Sequence, residues 1–240
     1  MAGTVGVTAD ATARYTEFTE CLAGLLTHMP VNTQLQFKVG PDRGKNRDWL
    51  VEQSLARGSE WILFLDDDHS FPPHLLVQLL SHEQPIVSSL YLLRQPPFYP
   101  IAYESKNEEG LYTALDLKGR PHSGLVPVVA AGTGGMLIRS EVFYDMEPPW
   151  FLHTDQHSED LYFCDRAVAA GFPIFVDLEA RLGHITPINV VPAFTDAGWL
   201  ATLVVGQAMN VGLPIGDEPE DGEITEDTPI PPGEFGGHLL

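Results

Sequence analysis

Trp61-Ile-Leu-Phe-Leu-Asp-Asp-Asp68 decides the fold. Five apolar residues in a row, without alternation, suit a strand buried on both faces, as in a parallel sheet covered by helices. The run ends abruptly in three carboxylates, and the C-terminal ends of such strands are where open α/β sheets bind ligands. In extended backbone, alternate residues share a face, so Asp66 and Asp68 are expected to point into one site and Asp67 away from it. Hard carboxylate oxygens suit Mn²⁺ or Mg²⁺, ions commonly shared with substrate phosphates. A solvated acidic turn or helix cap ahead of Pro72-Pro73 is the alternative reading of the triplet.

Upstream, Thr4–Thr8 reads as a strand. Thr12–Met29, with Tyr15, Phe18, Leu22, Leu25 and Leu26 at helical spacing, reads as an amphipathic helix. Gln34–Val39 reads as a second strand and Gly44–Ala56 as a second helix. The order strand, helix, strand, helix, strand predicts an α/β unit with right-handed crossovers. Downstream, Pro72–Leu80 reads as a short helix opened by proline, and Ile86–Leu92 as a fourth strand. Pro96–Arg120 has two alternating segments, Ile101–Tyr103 and Leu111–Leu117, that predict a hairpin leaving the main sheet. Val126–Ala131 and Met136–Ile138 are strand-like, with Gly132-Thr133-Gly134-Gly135 between them. Ser158–Ala170 reads as a helix with Ser158 as N-cap and Gly171 as its stop, and Pro173–Val176 as a strand. Ala197–Met209 is expected to form a helix packed on the body or on a second copy of the chain, as in a homodimer.

The 240 residues are 44% hydrophobic and carry a net charge of −20. Eight acidic residues and no Lys or Arg follow from Asp217, leaving −12 on residues 1–216. Residues 213–240, rich in Pro, Gly and acid, cannot bury enough apolar surface to fold, so a disordered tail is expected. So acidic a body repels nucleic-acid backbones and anionic membranes at long range. Nucleic acid is therefore a disfavoured partner. Cys21 and Cys164 show no CxxC spacing, which excludes a disulfide framework and fits a reducing compartment. No basic flank and apolar run opens the chain, and no stretch reaches the ~20 apolar residues of a membrane span. A soluble, cytoplasmic protein is expected.

Several short motifs taken together resemble GT-A fold glycosyltransferases, especially the family 2 group. They are Asn46-Arg47, then WILFLDDDHSFPP, then Gly132–Arg139 (GTGGMLIR), Ser158-Glu159-Asp160 with Cys164-Asp165-Arg166 and Ala170-Gly171-Phe172, and Gly183-His184. The resemblance spans about residues 4–190. It implies an α/β/α sandwich of Rossmann-like type with a mostly parallel central sheet and a small mixed sheet in the acceptor half. Residues 1–95 would form the donor half and 96–212 the acceptor half of the same domain. It further implies transfer of a sugar from a nucleoside-diphosphate sugar, a UDP-sugar in first place, to a hydroxyl acceptor.

By the same resemblance Asp66 contacts the donor's ribose or base, and Asp68 binds the metal, with Asp66 and His184 as further ligands. Mn²⁺ tolerates imidazole more readily than Mg²⁺ does. The donor set is Thr8, Ala9, Asp10, Arg43, Asn46, Arg47, Asp66 and Asp67. Thr8–Asp10 depart from the family's usual proline-rich pattern, which leaves the nucleotide open. The family pattern favours Asp160 as the general base of an inverting transfer, with Glu159 second, although retaining enzymes share the fold; spacing alone does not rank the two acids, and helix-start acids are the plain alternative. Gly134, Gly135, Trp150 and His157 would line the acceptor site, although Trp150 reads equally as core. His69 and His74 read as supporting or surface residues. The acceptor is open: a glycan, a protein side chain, a metabolite or a hydroxylated base of viral DNA. Nucleotidyl transfer, and a non-catalytic domain that binds sugars or nucleotides, are the competing functions.

Overall fold

The structure is a computed structural model that describes residues 2–9, 15–94, 97–155, 157–195, 198–205 and 209–214. The chain divides into two compact units, Met1–Pro187 and Ile188–Leu240.

In chain order the first unit contains β1 (Gly3–Ala9), α1 (Thr16–Leu26), β2 (Thr33–Val39), α2 (Arg43–Ala56), β3 (Trp61–Asp66) and β4 (His69–Ser70). It continues through α3 (Leu75–Ser81), β5 (Ile86–Leu90), β6 (Ala102–Lys106), β7 (Tyr112–Ala114), β8 (Leu125–Val128) and β9 (Ala130–Ala131). Then come β10 (Gly135–Arg139), α4 (Ser140–Tyr144), α5 (Glu159–Ala169), β11 (Ile174–Arg181) and β12 (Gly183–His184). Seven strands form the central sheet in the order β2-β1-β3-β10-β5-β11-β8. Pairing is parallel for β1 with β2 and β3 and for β5 with β11, while β10 and β8 run against their neighbours. The sheet is thus mostly parallel, as expected.

The apolar run explains itself in the packing. Trp61 through Leu65 are all fully buried. Ile62 and Phe64 enter one core with Leu50, Phe143, Phe151 and Phe163, from α2, α4, α5 and the loop before α5. Trp61, Leu63 and Leu65 enter the other core with Phe18, Leu22, Leu75 and Leu79 of α1 and α3. Period-two alternation therefore feeds both faces of a three-layer sandwich. Gly3 is needed for close approach, since a Cβ there would sit 2.0 Å from the Trp61 ring.

The predicted hairpin is present. β6 pairs antiparallel with β7 and with β9, making a small separate sheet beside the main one. Helix α5 starts with Ser158 at its N-cap and stops at Gly171, whose φ of +91° lies in the region that glycine tolerates best.

The second unit corrects one expectation. Of the expected helix Ala197–Met209, the described residues Gly198–Val205 and Met209 are strand: β13 (Ile188–Thr195), β14 (Gly198–Val205) and β15 (Met209–Pro214) form an antiparallel sheet. Trp199, Thr202, Val204 and Val205 are strand formers. Pro192 is tolerated because β13 is an edge strand. Leu213 and Pro214, expected in the tail, belong to β15; the rest of that tail, 215–240, lies outside the described residues. Among the described residues no helix is long and apolar enough to cross a membrane.

Candidate active site

The parallel strands β1, β2, β3 and β5 end on one edge of the sheet, and the acidic triplet is delivered there. Asp66, at the end of β3, faces inward. Its Oδ1 accepts from Thr8 Oγ1 at 2.5 Å and from Arg47 Nη2 at 2.8 Å. Arg47 is 1% exposed and its other terminal nitrogen donates to Glu159. One buried guanidinium thus ties the end of β3 to the first residue of α5. Burial would raise the Asp66 carboxyl, but Arg47, His69 and Thr8 outweigh it and hold the group below its ordinary range. The same two carboxylates keep Arg47 charged against its own desolvation.

The backbone turns at Asp67-Asp68, so the strand's alternation breaks before β4 begins. β4 then pairs with β12, setting His69 opposite His184, and Ile185 N donates to Asp68 O at 2.9 Å. Asp68, His69 and His184 converge, each offering a ligand atom within 4.8 Å of the others. The two imidazoles stack at 4.6 Å. His69 is 1% exposed, and among the described residues neither of its ring nitrogens has a hydrogen-bond partner of ordinary geometry; Nδ1 lies 3.4 Å from Asp68 Oδ1. Burial pushes its pKa down to about 4, so the ring is neutral at physiological pH, as a ligand must be. His184 Nδ1 lies 2.9 Å from Leu92 O and donates to it, leaving Nε2 with a lone pair 3.9 Å from Asp68 Oδ2. One carboxylate and two neutral imidazoles, one of them buried, fit a borderline divalent cation.

Two cavities of about 240 Å³ each open here. The first is lined by Thr8, Ala9, Tyr15, Pro41 and Asp67; the second by His69, Tyr91, Asp160 and His184; Arg43, Asp66, Asp68 and Arg94 line both. Asp160 therefore faces the same space as the histidines. Burial raises its carboxyl, with Ser158 and Arg47 offsetting part of the rise. Its Oδ1 accepts from Ser158 Oγ and from Leu161 N at 3.0 Å.

The glycines of the β9–β10 turn permit this closeness. A Cβ on Gly134 would lie 2.5 Å from His69 Cε1 and 3.1 Å from Asp66 Oδ2, and Gly134 N donates to Tyr91 Oη at 3.1 Å. Gly135 packs instead against Leu182 and Ser89.

Other expected residues lie elsewhere. Asn46 is 4% exposed and donates to Gly40 O at 2.8 Å, closing the β2–α2 loop. Trp150 is in the core, 7% exposed, with its indole N–H donating to Phe143 O and Met146 O. His157 sits beside Tyr112, whose hydroxyl donates to Asp165 at 2.6 Å. Asp10 lies outside the described residues. Sequence reasoning does not place Tyr91 or Arg94 at this site, and it puts His69 outside the ligand set.

No family model matches the sequence, and no curated protein matches it either. Solved structures do. The chain is similar to A197 from STIV, at TM-score 0.51 and 14% identity over 92% of this chain and 99% of that one. It is also similar to GalNAc-T7, solved with UDP, GalNAc and Mn²⁺, at TM-score 0.56 and 10% identity. The chain has the GT-A glycosyltransferase fold. That second alignment takes in 77% of this chain and 44% of GalNAc-T7. At these identities the likeness establishes the fold, and function has to be argued from the site.

Proposed function

We propose that the protein is a metal-dependent glycosyltransferase that moves a sugar from a nucleoside-diphosphate sugar, in first place a UDP-sugar, to a hydroxyl. The observation that carries this reading is the shared cavity, where Asp160 faces the Asp68-His69-His184 group beside the pocket at the ends of β1 and β3. The two imidazoles favour Mn²⁺ over Mg²⁺. GalNAc-T7, a structural neighbour, was solved with UDP and Mn²⁺.

In this reading Thr8, Ala9, Asp67 and the rim residue Arg43 receive the nucleotide, while Asp66 is fixed by Arg47 and Thr8 at the floor. Asp68, His69 and His184 would hold the cation. The chemistry it supplies when bound is charge neutralisation on the leaving diphosphate. Asp160 takes the acceptor's hydroxyl proton as that oxygen attacks the anomeric carbon and the bond to the diphosphate breaks, the electron pair leaving with the diphosphate. A single displacement of this kind inverts the anomeric centre. Asp160 is the base rather than Glu159 because Glu159 is engaged by buried Arg47. The acceptor enters on the β9–β10 side, past Gly134. A charge of −20 weighs against nucleic acid in that role.

Asp68→Ala tests the reading. Titration of UDP into the wild-type chain in Mn²⁺ is expected to show binding that chelator abolishes, and the variant should bind at least about a hundredfold more weakly. Wild-type affinity in the variant would remove the metal from the site.

A further inference from the structure

Asp66 and Asp68 are each answered by a different arginine, and the two arginines differ in kind. Arg47, which holds Asp66, has a side chain only 2% exposed and is locked between two carboxylates. Arg94, which pairs with Asp68 Oδ2, has a side chain 34% exposed and lines both cavities. On its N-terminal side the backbone is tied down: Leu93 N donates to Tyr99 O at 2.9 Å, and Leu92 bridges to Pro100.

The carboxylate that Arg94 holds is the one that a metal at the Asp68-His69-His184 group would need. Oδ2 of Asp68 is also the oxygen nearest His184 Nε2, at 3.9 Å. Guanidinium and divalent cation are thus alternative partners for one carboxylate. Once a cation sits against Asp68, Arg94 is a second, surplus positive charge in a part-buried cavity. An anion between the two relieves that repulsion, and a diphosphate matches the planar fork of a guanidinium.

Resting on the metal reading proposed above, we infer that Arg94 is a placeholder cation that exchanges Asp68 for the donor's diphosphate when the metal binds. Without metal it neutralises Asp68 and keeps the acidic strand end intact. With metal it would become a phosphate ligand. Metal and nucleotide then bind with positive cooperativity, and each must raise the other's affinity by the same factor.

The test is titration calorimetry on the full chain, first with MnCl₂ alone and then with UDP at saturating Mn²⁺. Arg94→Met keeps the apolar stem and removes the charge. It should bind Mn²⁺ alone about tenfold more tightly, because a competitor for Asp68 is gone. It should bind UDP about tenfold or more weakly, because a charged phosphate contact is lost. Arg94→Lys should fall between wild type and Met in both titrations. Unchanged or weaker Mn²⁺ binding by Arg94→Met overturns the placeholder role, and unchanged UDP binding overturns the phosphate contact. Failure of the wild-type chain to bind Mn²⁺ at all overturns the metal reading itself, and this inference with it.

Discussion

Asp160→Asn is expected to lower the turnover of glycosyl transfer by roughly 10²–10⁴-fold, the range of a general base, while the Kd for donor nucleotide stays at its wild-type value. Amide and carboxylate have the same shape, so the bonds from Ser158 Oγ and Leu161 N keep an acceptor oxygen. The wild-type pH profile carries a second signature. Burial raises the Asp160 carboxyl above the ordinary aspartate value of 3.8, and a base works only when ionised. The rate should therefore fall as pH drops through that raised value. The residual rate of the variant should lack this limb. Normal turnover by Asp160→Asn would remove the base from this position and take the inverting mechanism with it.

Arg47→Met is expected to destabilise the body by about 3–5 kcal/mol, the loss that follows when one partner of a buried ion pair is removed. Methionine fills much of the volume, but Asp66 and Glu159 are left facing each other without a cation. For a domain of this size the melting temperature should fall by roughly 6–20 °C. Adding Asp66→Asn and Glu159→Gln to Arg47→Met removes the stranded charges and should recover most of the loss. Acid titration provides a check on sign. The Asp66 carboxyl is depressed in the folded chain. Its contribution is present above about pH 4 and disappears as pH falls through the folded value. Wild type should lose stability over that acid range more steeply than Arg47→Met does. A variant that melts within about 2 °C of wild type at neutral pH would show that Arg47 does not hold α5 to the sheet.

The sheet was legible because its strongest signal is local. Trp61–Leu65 has no polar residue to spare for solvent, so the only strand it can form is one covered on both faces, and the structure feeds those residues alternately into two cores. The direction of β10 was not legible. Met136–Ile138 reads as a strand either way, and only its pairing with β3 and β5 makes it antiparallel. Gly198–Val205 misled because apolar residues interrupted by small ones satisfy helical and extended periods alike. Its strand formers decide the matter once β13 and β15 are present on either side.

At the site, the period-two rule sets Asp66 and Asp68 together and His69 away from them. Asp66 and Asp68 do line the same cavities, but the rule fails for His69 because the chain turns at Asp67-Asp68, and because the two-residue pairing that sets His69 against His184 spans more than a hundred residues. Arg47 is misplaced by local reasoning for a similar reason. A helix-entry arginine suits an anionic ligand, but its partner Glu159 lies 112 residues away. Trp150 illustrates the converse: an aromatic just upstream of the acidic helix invites a role on the acceptor, yet its N–H is fully occupied by Phe143 and Met146.

The central claim is a metal-dependent site for a nucleotide sugar at the ends of β1 and β3. The most direct measurement is a thermal-shift panel on the full chain with UDP-, GDP-, ADP-, CDP- and dTDP-sugars, each in Mn²⁺ and in chelator. A ligand that binds only the folded state raises its melting temperature by mass action. The account predicts a rise with one nucleotide, UDP in first place, that chelator abolishes. A rise that survives chelator, or none with any of the five, would contradict it.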